Sequence, residues 1–468
     1  MKETLRLHFP SLVMLILGGV SSYLLFYPPE ALSSSQLFTL VIGLMAIGFW
    51  ATALIPEYLT ALLFFCACML LSVAAPQQVF SGFSSSAFWL VYGGLIIGIA
   101  INKTGLGKRI ATILVSHLDY GYSGLITGVV VIGILFSFLM PSAMARMVLL
   151  IPIMLLIASH FGFEHGTKGR TGIILAAIMG TFIPAFAILP ANVANMVLSG
   201  LYESQFRHSF LYGEYLLINF PILGGLKAIC IVGMVILLFP DKIRKIDDSE
   251  LNGIEPWSKN EKFLTVLLSL ALLLWITDFY HHISPAWIAI LVAIILLFPK
   301  IAIVTSEEFS RQINYASLLF VAGVIGFGVV ISHSGLGNIL AEYLLDTFPL
   351  DKETPFINYM LLSLSSVLTA LAVTSPSVPA ILMPLAEPIT SASGLPLKMV
   401  IMTQVIGFST TIFPYQTVPI LIAMQMAGEK LSHAVKFCFL LALLTLAILV
   451  PVNYFWWRFL ERIGAFWA

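Results

Sequence analysis

Apolar stretches of about membrane-crossing length recur along this chain, and that recurrence restricts the fold more than any other feature. A backbone placed in hydrocarbon must satisfy its own polar groups, so a spanning segment is a helix or part of a closed barrel. Crossing ~30 Å of hydrocarbon takes roughly 20 mainly apolar helical residues. Eleven stretches qualify or come close: residues 9–27, 37–55, 59–75, 87–101, 171–201, 215–239, 263–276, 286–298, 315–331, 397–426 and 434–457. Only 10% of the 468 residues are charged and 59% are hydrophobic, against about 25% charged in a soluble domain. The reading is an all-α polytopic membrane protein.

Two further apolar zones differ from the spans. Residues 124–159 are interrupted at Pro141 and Ser142, and residues 356–392 at the run from Thr374 to Pro379. Each half is slightly short for a span, and each interruption is polar and proline-bearing. Both zones therefore read as re-entrant hairpins, tolerated where the non-helical tip faces protein or water. The expected architecture is 11 transmembrane helices plus two re-entrant hairpins. With the N-terminus inside, sixteen Lys and Arg fall on the cytoplasmic side, five outside and two within apolar segments. That asymmetry follows the positive-inside rule and places the C-terminus outside, in the cell (inner) membrane.

The sequence also narrows the function. A formal net charge of zero with no basic block gives no reason to expect a nucleic-acid partner. Cys66, Cys68, Cys230 and Cys438 sit inside apolar runs, where thiols pack as small hydrophobes. Lys2 and Arg6 precede a run too long for a signal-peptide core, so the first span is expected to stay uncleaved. No metal spacing, P-loop or nucleophile arrangement points to an enzyme, and no cofactor is called for. Na+ or H+ is the expected coupling ion.

An internal repeat organises the chain. Leu90 to Ala111 aligns without gaps on Phe320 to Ala341 with eight of 22 positions identical, including Gly105-Leu106-Gly107 on Gly335-Leu336-Gly337. Pro152 and Pro384 follow the two hairpin breaks, and Pro190 and Pro414 interrupt the fifth and tenth spans, at offsets of 232 and 224 residues against 230 for the first match. Five spans and one hairpin per copy give opposite insertion, the inverted-repeat plan of secondary transporters. The expected divisions are residues 1–36 (first span and outer loop), 37–240 (first repeat), 241–262 (cytoplasmic linker) and 263–468 (second repeat).

In that plan the site forms where broken helices free backbone groups and half-helix N-termini face an anion. Four breaks are present: Met140 to Arg146, Ile188 to Asn195, Thr374 to Pro379 and Phe413 to Pro419. Proline removes a helix donor and opens the preceding turn, leaving carbonyls that can bind a cation. Neutral polar side chains can cap the new N-termini and hold an anion. The candidate substrate residues are Ser142, Ala143, Arg146, Asn192, Asn195, Thr374, Ser375, Ser377, Gln416 and Thr417. The candidates for cation binding or coupling are Ser142, Pro190, Ser375, Pro414, Lys227 and Glu387.

These breaks resemble the divalent anion:sodium symporters of the ion transporter superfamily. Pro141 to Arg146 is similar to the PSNTAR signature of the dicarboxylate translocator branch, Pro190 to Leu198 to the family's break containing P-x-N, and Phe413 to Pro419 to its second-repeat partner. The resemblance implies an elevator-type homodimer in which the hairpins and spans five, six, ten and eleven carry a small anion past a scaffold. Di- or tricarboxylate, or an inorganic anion such as sulfate, is the substrate it implies, by symport or exchange. The chain departs from the family signatures at Ala143 and Met144, where they have Asn and Thr, and at Thr374 to Ser377, where they have Ser-Asn-Thr.

Three ionisable residues have two readings each. Arg146 either neutralises the anion or replaces a cation, against snorkelling to the cytoplasmic mouth. Lys227 either stands in for sodium or pairs with a carboxylate, against snorkelling. Glu387 either carries a proton or sits at an interfacial surface. Trp456 and Trp457 are expected in the outer aromatic belt. The alternative function is a cation/proton antiporter, which needs buried carboxylates that the central spans hardly offer.

Overall fold

A computed structural model describes residues 2–30, 32–52, 54–110, 121–243, 256–337, 339 and 350–464. The expected linker falls largely outside these residues, as do the last residues of both copies of the repeat match.

The described residues form helices without a strand. Among the described residues nine helices are long and apolar enough to cross a membrane, and Ser11–Phe26, Glu57–Leu70, Pro285–Leu297 and Leu397–Ser409 are shorter apolar helices. This count differs from eleven spans plus two hairpins. Both arms of the first hairpin, Gly121–Leu139 and Ala143–His160, and the first arm of the second, Pro355–Ala372, reach spanning length themselves. The first arm of the first hairpin is longer than its apolar run suggested because Tyr122 and Ser123 continue the helix outward, whereas Pro355–Ala372 matches its run and is long enough as it stands.

Glycines set how closely the helices pack. A Cβ on Gly93 would lie 2.8 Å from the Ala289 backbone, and one on Gly323 would lie 2.4 Å from the Ala61 Cβ. Position 323 follows 93 by 230 residues and 289 follows 61 by 228, so one contact recurs with its two partners drawn from opposite halves. Likewise Gly180 packs on Val130 and Gly407 on Ser366, each joining the first half of a broken span to the first arm of the hairpin in the same half. The Gly-Leu-Gly repeats have a structural reason: Gly105 and Gly335 adopt φ of +76° and +75°, a left-handed turn that glycine enters without a Cβ clash.

The two late spans each carry a π-helical turn, at Phe220–Leu226 and Thr445–Leu449. In each, a side chain at the start bonds back four residues: Asn219 Nδ2 to the Tyr215 carbonyl and Thr445 Oγ1 to the Leu441 carbonyl. The Trp456 and Trp457 indoles donate to the carbonyls of Leu217 and Ile218, each at 3.1 Å. Trp457 is buried, so it ties two helices together and does not line a lipid belt. Large apolar side chains such as Leu15, Leu70, Ile229 and Leu237 lie exposed around the molecule, as expected where the solvent is lipid.

Candidate functional site

All four sequence breaks are breaks in the structure. The fifth span runs as Lys168–Phe182, two 3-10 turns at Pro184–Ala187 and Leu189–Ala191, then Val193–Phe206. The tenth runs as Leu397–Ser409, a 3-10 turn at Pro414–Gln416, then Val418–Met426. The second hairpin turns through Ser375–Ser377 into Val378–Leu382.

The breaks converge on a cavity of about 410 Å³. Its wall includes Pro141 to Ala145 of the first tip, Asn192 and Val193 of the fifth span, Thr374 to Pro376 of the second tip, and Gln416 to Pro419 of the tenth. Three helix N-termini therefore face it: those of Ala143–His160, Val193–Phe206 and Val418–Met426. The Ser142 hydroxyl caps the first by accepting from the Ala145 N–H. Asn192 and Thr417 stand at the N-caps of the other two without a side-chain cap, leaving N–H donors open to a ligand. The Asn192 side-chain nitrogen is buried with no partner. Aligned dipoles and unused donors make such a place favourable for an anion.

From the breaks the cavity extends to Asn102, Gln312, Asn314 and Ser317. Asn314 caps Tyr315–His333 by accepting from Ser317 N–H. At the other end of the Ser86–Thr104 helix, the Ser86 N–H donates to Glu203 at 3.0 Å and the Ser86 hydroxyl donates to the same carboxylate. Gln205 Nε2 donates to the Gly328 carbonyl at 3.2 Å.

Predicted residues also hold the breaks, some from within the wall, as Ser375 and Gln416 do, and some from behind it, as Asn195 and Ser377 do. Asn195 is buried and donates to the carbonyls of Ala185 (3.0 Å) and Ile188 (2.8 Å). It secures the break and does not line the cavity. Gln416 accepts from the N–H groups of Ile412 and Phe413, each at 2.8 Å, and donates to the Ala370 carbonyl at 2.7 Å, binding the tenth-span break to the second hairpin. Ser375 donates to the Gln416 carbonyl at 3.5 Å, and the Ser377 hydroxyl is shared with Thr374. Pro190 and Pro414 lie in the 3-10 turns. Glu387 is exposed and outside the cavity wall.

Arg146 is fully buried and does not snorkel: its Nη1 donates to the carbonyls of Met140 and, at 3.0 Å, Ala191. One guanidinium thus joins the first hairpin to the fifth-span break. Its Nε and Nη2 have no partner. Lys227 is buried as well, and its ammonium donates to the Ser409 carbonyl at 3.0 Å, at the C-terminal end of Leu397–Ser409. A cation there meets the negative end of a half-helix. Among the described residues neither forms an ion pair with a carboxylate.

Several lining residues carried no sequence signal of their own. Gly94 lies against the first tip, where an added Cβ would be 2.5 Å from Pro141 Cγ. Asn102, inside the repeat match, and Asn314, ahead of its second copy, stand at helix ends where nothing in the sequence singles them out.

A sequence profile of the family described as "Sodium:sulfate symporter transmembrane region" matches residues 7–463. The sodium-dependent dicarboxylate transporter SdcS of Staphylococcus saprophyticus is 22% identical over 97% of this chain and 93% of its own length. A protein of Cupriavidus necator named only as a membrane protein is 23% identical over 71% of this chain, which spans 66% of that protein. The crystal structure of the Alcanivorax borkumensis YdaH transporter superposes with a TM-score of 0.55 at 15% identity, covering 91% of this chain and 99% of that one. This last likeness shows the fold.

Proposed function

Because the chain belongs to the family of sodium:sulfate symporter transmembrane regions, we propose that it is a secondary transporter that binds a small di- or tricarboxylate, or an inorganic dianion such as sulfate, in the cavity between the four breaks. The observation that carries this reading is the convergence of three helix N-termini and the unpartnered Asn192 amide on one cavity. Backbone dipoles and neutral amides at the breaks favour an anion, although the half-buried Glu57 also lies in the cavity wall. Ser142, Ala143, Asn192, Thr374, Ser375, Gln416 and Thr417 contact the substrate, while Arg146, Asn195 and Ser377 support them from behind.

The carrier moves as an elevator. Each hairpin and the broken span of its half form one body through the Gly180–Val130 and Gly407–Ser366 contacts, and two such inverted halves give a scaffold against which the bodies slide. The recurring Gly93–Ala289 and Gly323–Ala61 contacts support that symmetry. With Asn102, Gln312 and Asn314 on the side that the Lys and Arg count makes cytoplasmic, the cavity faces inward. Na+ is the coupling ion that the relatives named sodium-dependent support, and a homodimer is the expected assembly. An antiporter of cations and protons is not favoured: neither of the fully buried carboxylates among the described residues, Glu261 and Asp278, lines the cavity, and the half-buried Glu57 is the one acidic side chain in its wall.

Uptake of labelled succinate, citrate and sulfate into proteoliposomes tests the reading. Asn192→Ala combined with Thr417→Ala should lower uptake at least tenfold while the purified protein elutes as before. Undiminished uptake by that variant would move the site elsewhere.

A further inference from the structure

One charged side chain in the cavity wall has no part in holding an anion. Glu57 stands at the start of Glu57–Leu70, where the Trp50 indole donates to its carbonyl at 3.2 Å. A glutamate in the first turn of a helix is ordinary, because the dipole favours it there. This one is also half-buried in the wall of a cavity. Among the described residues its carboxylate has no hydrogen bond or ion pair. Cations on segments that reach the cavity are engaged elsewhere, Lys103 with Glu308 at 2.8 Å and Arg311 with Glu307 at 2.9 Å. No Lys, Arg or His among the described residues lines the cavity.

The cavity is therefore dipolar. Its breaks present three helix N-termini and the unpartnered Asn192 amide, and its other end has an uncompensated carboxylate in the same wall as the amides of Asn102 and Gln312. Gly94, against the first tip, and Asn102 lie eight residues apart on Ser86–Thr104, which is about 12 Å along the axis. Between them Gly98 leaves the passage open, since an added Cβ there would meet nothing within 4 Å. A plain dianion that reached along this passage would bring its second charge toward Glu57, and like charges set together select against a ligand. An ammonium at that end would pair with the carboxylate.

We infer that Glu57 is a specificity-determining residue that receives an amino group, so that the preferred substrate is an acidic amino acid, a dicarboxylate that also carries an ammonium. The inference rests on the proposed anion site at the breaks. The side-chain carboxylate of the substrate goes to the helix N-termini, its ammonium to Glu57, and its other carboxylate to the Asn102 and Gln312 amides. Glutamate and 2-aminoadipate suit the length of the passage better than aspartate.

The experiment measures binding to the full-length protein in detergent, from the ligand-induced rise in unfolding temperature. Three pairs differ by one amino group: succinate and L-aspartate, glutarate and L-glutamate, adipate and L-2-aminoadipate. Each is titrated in NaCl and in KCl of equal ionic strength. In the two longer pairs the amino compound should bind at least tenfold more tightly than its plain partner. Glu57→Gln keeps the size and removes the charge; it should weaken L-glutamate at least tenfold and tighten glutarate, whereas a merely structural role would weaken both alike. Glu57→Asp should recover part of the preference. Glutarate binding to the wild type as tightly as L-glutamate would overturn the inference and leave anion binding standing, and this comparison needs no variant. An unchanged preference in Glu57→Gln would overturn it too. So would a Na+ requirement for glutarate that Glu57→Gln abolishes, since Glu57 would then serve a free cation. No rise with any of the six compounds, or with citrate or sulfate, would remove the anion site and the inference with it. Labelled L-glutamate should also enter proteoliposomes faster than labelled glutarate, and the reverse order would count against the inference.

Discussion

At the scale of single residues, the four breaks separate into side chains that face the cavity and side chains that hold the backbone open around it. Asn192 and Asn195 are three residues apart and chemically identical, yet one lines the cavity with a free amide nitrogen and the other spends its nitrogen on two carbonyls. Their substitutions should therefore differ. Asn195→Ala strands the carbonyls of Ala185 and Ile188 and should destabilise the fold by about 1–3 kcal/mol, the usual penalty for a buried group left without its partner. Asn192→Ala should leave stability nearly unchanged and impair transport. Thermal unfolding and uptake measured on the same preparations separate the two, and equal unfolding temperatures would refute the division of labour. The sequence showed that polar residues occupy these positions. It did not show which way each points, because that depends on torsions at the break, such as the extended φ of −146° at Asn192.

At the scale of elements, the breaks were legible because proline and small polar residues interrupt apolar runs, a pattern that survives without knowledge of packing. The length of the first hairpin's first arm was not, since polar residues at a helix end, here Tyr122 and Ser123, extend it as readily as they terminate it. The π-helical turns at Phe220–Leu226 and Thr445–Leu449 were also missed. They differ from α-helix by a single inserted residue, and Pro221 and Pro451 are consistent with either. The contact of the first tip with the Ser86–Thr104 helix can be used to test movement. An added Cβ at Gly94 would be 3.0 Å from the Pro141 Cβ, close to the separation in a disulfide after a small backbone shift. With Cys66, Cys68, Cys230 and Cys438 replaced, the Gly94→Cys, Pro141→Cys pair should cross-link under mild oxidation and stop transport, and a reductant should restore it. Transport that continues with the cross-link formed would rule out sliding between these two elements.

At the scale of the whole molecule, topology follows from charge distribution. Lys103, Lys168 and Arg170 lie on the side assigned to the cytoplasm, Lys398 and Arg458 on the other. A fluorescent protein that matures only in the cytoplasm should light up when fused before Lys2, and alkaline phosphatase should be active when fused after Arg462. The reverse result would invert the molecule. The cavity's shape has a further consequence. On the inward-facing reading proposed above, it opens past Asn102 and Asn314, whereas at the far end of the Ser86–Thr104 helix Glu203 bonds to Ser86 and Gln205 to Gly328. A membrane-impermeant dianion too bulky to be enclosed would lodge like a wedge when presented at the open face and find no entrance at the other, so blockade of this protein would be sided, and the blocked side would report its posture.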